Sequence, residues 1–214
     1  KPVFADVDFN TRNINLKNII KSITKKTVAI IVVHFSGLPC DMGKISKFCK
    51  KRNIKIIEDS AETLGAKVNN KYTGTFGIGC FSFFPTKNIT TTEGGMLTTN
   101  NKKIYDYVKK LIAHGIDKDI KPNFWHREAV LPGHNFRMPN HLAAMGYVQL
   151  KKITKFNKAR NSIASLYSSE LPKITNKIKI PYIPKGFTHS YQMYTITVEA
   201  KLRNKLLNFL KKND

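Results

Sequence analysis

Thr27-Val28-Ala29-Ile30-Ile31-Val32-Val33 is a seven-residue run rich in β-branched side chains. A run of this kind without polar alternation suits a strand covered on both faces, as in a parallel sheet. His34 to Met42 follows as a loop carrying Gly37 and Pro39. Beyond it, Met42, Ile45, Phe48 and Cys49 fall at helical spacing up to Arg52. Lys55 to Glu58 is the next short strand signal. Strand, helix and strand at this spacing predict a βαβ unit.

Outward from this unit, residues 2–8 alternate and predict a strand, and Asn18 to Ile23 a short helix. Downstream, Asn69-Asn70 marks a tight turn between Ala66-Lys67-Val68 and Tyr72-Thr73. Ile78 to Phe84 and Met96 to Thr99 read as strands, and Lys102 to Ala113 as an amphipathic helix. Asp117 to Pro132 is irregular. Pro139 to Ile153 is a helix that continues toward Leu171 after a bend. Pro172 to Phe187 is rich in Pro, Gly and Lys and reads as a connector, Ser190 to Glu199 as a strand, and Leu202 to Leu210 as a helix. The expected class is α/β, with a mostly parallel mixed sheet in a three-layer α/β/α arrangement. The composition shift near Pro172 divides the chain into residues 1–171 and a smaller piece, 172–214, which opens a second, α+β domain.

The 214 residues are enough to bury a core, and a hydrophobic fraction of 41% is ordinary for a globular chain. No stretch approaches a membrane span, and Lys1 to Asp8 has no secretory pattern. Three cysteines, Cys40, Cys49 and Cys80, contain no Cys-x-x-Cys pair. The odd number argues against a disulfide framework and for a reducing, cytoplasmic setting. The net charge is +23. It comes mostly from lysines scattered along the chain, as in Lys25-Lys26, Lys50-Lys51, Lys109-Lys110 and Lys211-Lys212. Dispersed lysines predict solvated faces rather than a nucleic-acid groove, with a general attraction for anionic small substrates. No metal site and no membrane partner are expected.

Chemistry concentrates in Cys80-Phe81-Ser82-Phe83-Phe84-Pro85-Thr86-Lys87 and in Ile54-Lys55-Ile56-Ile57-Glu58-Asp59. Ligands of open α/β sheets gather at the carboxyl ends of strands, where Asp59 and Lys87 fall. A carboxylate there can pair with a protonated ring nitrogen, although an aspartate in such a place also serves as a helix N-cap. A lysine past a buried strand can be partly desolvated and free to attack a carbonyl, although most lysines are surface groups. Ser82 can donate to a phosphate oxygen or simply occupy a strand face. Gly94-Gly95 is weak evidence for an anion cradle, because a turn also needs glycine. Together a carboxylate, a hydroxyl and a lysine on neighbouring strands are the groups needed to hold pyridoxal 5′-phosphate.

The whole string carries a resemblance. Glu58-Asp59-Ser60-Ala61-Glu62-Thr63-Leu64-Gly65-Ala66, Gly74-Thr75-Phe76-Gly77, Phe81-Ser82-Phe83-Phe84-Pro85-Thr86-Lys87-Asn88 and Glu93-Gly94-Gly95-Met96 occur in that order. Val33-His34-Phe35-Ser36-Gly37-Leu38-Pro39-Cys40-Asp41-Met42, Gly133-His134-Asn135-Phe136-Arg137-Met138 and His189-Ser190-Tyr191-Gln192-Met193-Tyr194 extend the set. The chain closely resembles the DegT/DnrJ/StrS family, pyridoxal-phosphate-dependent nucleotide-sugar aminotransferases of the aspartate aminotransferase fold. The resemblance implies that Lys87 bonds to the cofactor and then shuttles a proton, and that Asp59 holds the ring nitrogen. It places Glu62 near the cofactor's 3′-oxygen and Ser82 on its phosphate. It implies that Asn135 reaches the cofactor of a partner subunit, hence a homodimer with shared active sites. His34 and Ala61 would sit by the ring.

By the same resemblance, the substrates are an amino-acid donor, usually glutamate, and a nucleotide-linked keto-sugar. The product would serve amino-sugar and cell-surface polysaccharide synthesis. Family members are longer at both ends, so the resemblance implies a fragment or an incomplete gene product. Two alternatives accompany it. One is a sugar dehydratase of the same family, whose members typically replace the lysine with His. The other is a non-catalytic homologue. Residues 114–134, with His114, Trp125, His126 and Arg127, either line the sugar or nucleotide site or form a solvated loop.

Overall fold

The computed structural model describes residues 1–117 and 128–213. The βαβ unit is present. Helix α1 (Leu16–Ser22) precedes strand β1 (Ala29–Val33), helix α2 (Met42–Lys51) and strand β2 (Lys55–Asp59). β1 and β2 pair in parallel, with Val33 opposite Asp59. A small hairpin follows, β3 (Lys67–Val68) and β4 (Lys71–Tyr72). Its corner residues Asn69 and Asn70 have φ of 48° and 66°, the left-handed pair that a two-residue hairpin needs and that asparagine tolerates.

Strand β5 (Ile78–Ser82) then joins β2 in parallel, and β6 (Gly95–Thr98) folds back antiparallel on β5. The sheet order is β1-β2-β5-β6, mixed and mostly parallel as expected. Gly95 permits the close pairing of β6, since a Cβ there would lie 2.6 Å from the Phe81 carbonyl oxygen. Four more helices complete the described chain: α3 (Lys102–Leu111), α4 (Asn140–Leu150), α5 (Ile153–Ile174) and α6 (Ala200–Lys212). Among the described residues, no helix is long and apolar enough to cross a membrane.

Local chemistry explains where helices begin. Side chains of Asn15, Asp41 and Asn101 accept the backbone N–H of Asn18, Lys44 and Ile104, capping α1, α2 and α3. The core forms where α1 and α2 cover one face of the sheet, with Ile19, Val32, Met42, Ile45, Cys49 and Ile56 all buried. Each such aliphatic side chain contributes about 1.5–3 kcal/mol by leaving water.

The expectation that β1 is covered on both faces is not met. Side chains alternate along a strand, and Ile31 and Val33, opposite in direction to Val32, are 64% and 49% exposed. Residues 2–8 form no strand; Val7 makes a single bridge to Ile14. Ser190 to Glu199 is likewise not a strand, and only Thr197 bridges, to Lys179. Its backbone finds scattered partners instead: the N–H groups of Ser190 and Met193 donate to the Gly37 and Ser36 carbonyls, and Arg160 and Asn161 of α5 donate to the carbonyls of Tyr191 and the preceding His189. α5 also passes through Pro172 to Ile174, so the connector starts later than composition suggests. In its last turn a proline forfeits one N–H from a helix that is already ending.

Candidate active site

β2 and β5 are parallel, so their carboxyl ends open on one side of the sheet. Asp59 ends β2 and Ser82 ends β5. Asp59 lies opposite Cys80, and Ser82 is two residues further on, so Asp59, Cys80 and Ser82 share one face. Glu58 points to the other. Oδ1 of Asp59 accepts the Ala61 N–H at 3.1 Å. Among the described residues no donor meets its Oδ2. Oγ of Ser82 accepts the Phe84 N–H at 3.4 Å, leaving the hydroxyl proton free to be donated.

After Ser82 the chain is turned by main-chain hydrogen bonds. The Phe83 N–H donates to Gly94 and the Thr91 N–H donates to Phe83, each at 2.9 Å. The Lys87 N–H closes a tight turn on the Phe84 carbonyl at 3.0 Å. Phe84, Pro85 and Thr86 face solvent, but the Lys87 side chain is only 18% exposed. Its Nζ lies 3.9 Å from Oε1 of Glu62, which is ion-pair range rather than a hydrogen bond. Oε2 of Glu62 accepts the Ser36 N–H at 2.5 Å. The carboxylate is thus fixed by one oxygen and presents the other to the amine.

The sequence-derived residues therefore separate into groups. Asp59 and Ser82 share a face, and Lys87 and Glu62 pair. Asn135 stands apart: it is exposed, bridges Ala113, and accepts from Nε of Arg137 at 3.5 Å. The His34 backbone N–H donates to the Asp59 carbonyl at 3.1 Å, but its side chain turns to the opposite face. It is completely buried on the Glu58 face, with Nε2 3.2 Å from Oε2 of Glu58. Its Nδ1 accepts the Cys40 N–H at 3.1 Å, so the proton resides on Nε2. His114 is exposed, and Trp125, His126 and Arg127 lie outside the described residues.

Sequence reasoning passed over the role of Glu58. This buried carboxylate accepts the N–H groups of Gly74, Phe76 and Gly77 besides His34. Burial alone would push its carboxyl up. The hydrogen bonds from His34, Gly74 and Phe76 outweigh burial and hold it below the usual carboxylate range. Glu58 thereby anchors the 74–77 loop behind the site. The available signal was the Glu-Asp pair itself: if Asp59 faces outward, strand alternation sends Glu58 into the core, where it needs donors. Cys80 lies beside Asp59. Burial, then the charges of Asp59 and Glu58, push its thiol up.

Two cavities occur elsewhere. One of about 670 Å³ is lined by Lys55, Ile56, Gly77, Ile78 and Ile104. The other, of about 540 Å³, lies between Tyr72, Phe81 and Phe83 and the α5 residues Ile153 and Asn157. Neither is lined by Asp59, Ser82 or Lys87, which are half-buried at or just beyond the carboxyl ends of β2 and β5. Their chemistry fits pyridoxal phosphate. The group needs an amine, an acceptor for a ring N–H and a donor for phosphate. Lys87 supplies the amine, Oδ2 of Asp59 an acceptor site and the Ser82 hydroxyl a proton to donate.

Comparison with known proteins identifies the family. Residues 1–214 match the model of the DegT/DnrJ/EryC1/StrS aminotransferase family, and the chain belongs to that family. It is 39% identical over 211 residues to a GDP-perosamine synthase of Escherichia coli O157:H7, covering 98% of this chain and 56% of that protein. The aminotransferase TlmJ from Streptoalloteichus hindustanus has the same fold, with a TM-score of 0.93 and 29% identity over 100% of this chain and 57% of that one. GDP-4-keto-6-deoxymannose-3-dehydratase (ColD), solved as a mutant with bound GDP-perosamine, is equally similar in sequence at 29%. Its TM-score is 0.89, over 98% of this chain and 57% of that one. The chain thus spans just over half the length of the relatives it matches.

Proposed function

We propose that this family member moves an amino group from an amino acid, glutamate by family resemblance, to a keto-sugar carried on a nucleoside diphosphate, with pyridoxal 5′-phosphate as cofactor. One observation carries the reading: a largely buried lysine amine opposite a fixed carboxylate, just past the strand end where Asp59 and Ser82 share a face. When bound, the cofactor supplies an electron sink for charge left on the substrate carbon.

The chain's own residues do the rest. The Lys87 amine would hold the cofactor covalently and, when free, would carry a proton to and from the substrate carbon as general base. Oε1 of Glu62 offsets the positive charge when Nζ is protonated. Asp59, through Oδ2, would hold the ring nitrogen, and the Ser82 hydroxyl would hold the phosphate. The exposed Asn135 serves the second subunit of a homodimer. The dispersed charge of +23 favours approach of a diphosphate. The name of the Escherichia coli relative supports a GDP-linked sugar and amino-sugar synthesis.

Dehydration is the second reading, favoured by the ColD likeness. Overall fold similarity does not separate it from transamination, because ColD and TlmJ match about equally. Lys87 separates them, since a dehydratase of this family is expected to lack it. The test combines the protein with pyridoxal phosphate, glutamate and GDP-4-keto-6-deoxymannose. Amination exchanges the carbonyl oxygen for an amine, whereas dehydration removes a hydroxyl, and product mass distinguishes the two. Borohydride reduction should leave a cofactor-sized increment on Lys87. Failure to trap the cofactor on Lys87, with no aminated product, overturns the proposal.

A further inference from the structure

The His189-Ser190-Tyr191-Gln192-Met193 segment has no part in the chemistry above, yet it bonds to both neighbours of Lys87 and to the Glu62 backbone. On the lysine side, Nε2 of Gln192 donates to the Thr86 carbonyl at 3.0 Å. Nδ2 of Asn88 donates to the Ser190 carbonyl at 2.9 Å and to Oδ1 of Asn157 at 2.8 Å. Both residues flanking Lys87 are therefore tied down. On the carboxylate side, Oγ of Ser190 donates to the Glu62 carbonyl at 2.8 Å. The Ser36 N–H that holds the Glu62 carboxylate belongs to a residue whose own hydroxyl donates to the Met193 carbonyl at 3.0 Å.

The segment itself is rigidly mounted. Arg160 and Asn161 of α5 hold two of its carbonyls, and the rings of His189 and Tyr191 stack at 3.9 Å. Tyr191 adopts a left-handed φ of 44°, a conformation that persists only where surroundings enforce it. Gly37 makes the approach possible: a Cβ there would come within 2.8 Å of the Ser190 hydroxyl and of the Tyr191 nitrogen.

We infer that Asn88, Ser190 and Gln192 are positioning residues that set the place of the Lys87 amine relative to Glu62, acting as one strap across two loops. The role rests on reading Lys87 as the cofactor-bonding amine. The strap joins residues about a hundred positions apart, through the Asn88–Ser190 contact. The lysine, which follows an exposed Phe84-Pro85-Thr86 turn, is thereby prevented from swinging into solvent.

Competitive acetylation of the cofactor-free protein tests the placement, with Lys87 read by mass spectrometry against the exposed Lys25. In the wild type Lys87 should react slowly. Gln192→Ala should speed its labelling by about fivefold, the factor that one lost hydrogen bond carries, and Asn88→Ala, which loses two, by more. Asn101→Ala, which removes only the α3 cap, should leave it unchanged. A second readout is the visible circular dichroism of bound cofactor, which should weaken per trapped cofactor in the two strap variants. Unchanged labelling in both variants overturns the inference. If wild-type Lys87 labels slowly but pyridoxal phosphate plus borohydride never tags it, the cofactor reading fails and the positioning role falls with it. The labelling result tells that failure apart from a failure of the strap.

Discussion

At the scale of single residues, the site separates chemistry from support. Lys87 is the group on which the proposed reaction depends, and Lys87→Ala should lower amino transfer by at least about 10²–10⁴-fold, the usual worth of a positioned general base. Borohydride should then leave no increment at position 87. Supporting residues reveal themselves through pH. Burial lowers the His189 pKa from 6.5 to about 4, and its Nδ1 accepts the Tyr191 N–H. The unfolded chain binds a proton near 6.5 and the folded one only near 4, so stability falls as pH drops through that window. The full loss is about 3 kcal/mol, from the shift in pKa. Urea midpoints at pH 7 and pH 5 should differ markedly in the wild type and much less in His189→Asn. Glu58 acts lower on the scale. Its folded pKa lies below the ordinary 4.5, so its contribution is complete above that value and is lost as pH falls through the folded one. Glu58→Gln places amide hydrogens against the backbone donors and should cost about 3 kcal/mol in urea titrations at neutral pH.

At the scale of elements, caps and periodicity decide most of the outcome. Asp41 caps α2, the helix that supplies Met42, Ile45 and Cys49 to the core. Asp41→Ala should cost about 1 kcal/mol, seen as a lower urea midpoint with an unchanged slope. The same features made these elements legible in advance. The β-branched run at 27–33, the helical spacing from Met42 and the Asn-Asn corner each report a local physical preference, and each formed. Asp59, Ser82 and Lys87 were legible because strand ends and their sequence order fix where they fall. The segment after Ser190 was misread because its alternation mimics a strand. What shapes it is a set of side-chain bonds from Asn88, Arg160 and Asn161, partners that no local window contains. The His34–Glu58 pair was missed for the same reason: it joins two strands on the face opposite the one the motif points to.

At the scale of the whole molecule, the open question is how a single chain supplies every contact the proposed cofactor needs. Asp59 and Ser82 end the adjacent strands β2 and β5 and Lys87 follows in the turn beyond Ser82, whereas Asn135 is exposed and, among the described residues, bonds within its own neighbourhood, bridging Ala113 and accepting from Arg137. A closed two-fold dimer resolves this if Asn135 of each subunit reaches the other's cofactor phosphate. Mixing two inactive variants tests it. In a hybrid of Lys87→Ala and Asn135→Ala chains, one site combines the intact lysine of one subunit with the intact asparagine of the other. The second site lacks both. Random reassortment makes about half the dimers hybrid, each with one working site, so activity should return to about a quarter of the wild-type value. If Asn135 serves its own subunit instead, every hybrid site carries one lesion and mixing restores nothing. The assay thus reads the architecture directly, provided the single variants are first shown to form dimers by sedimentation.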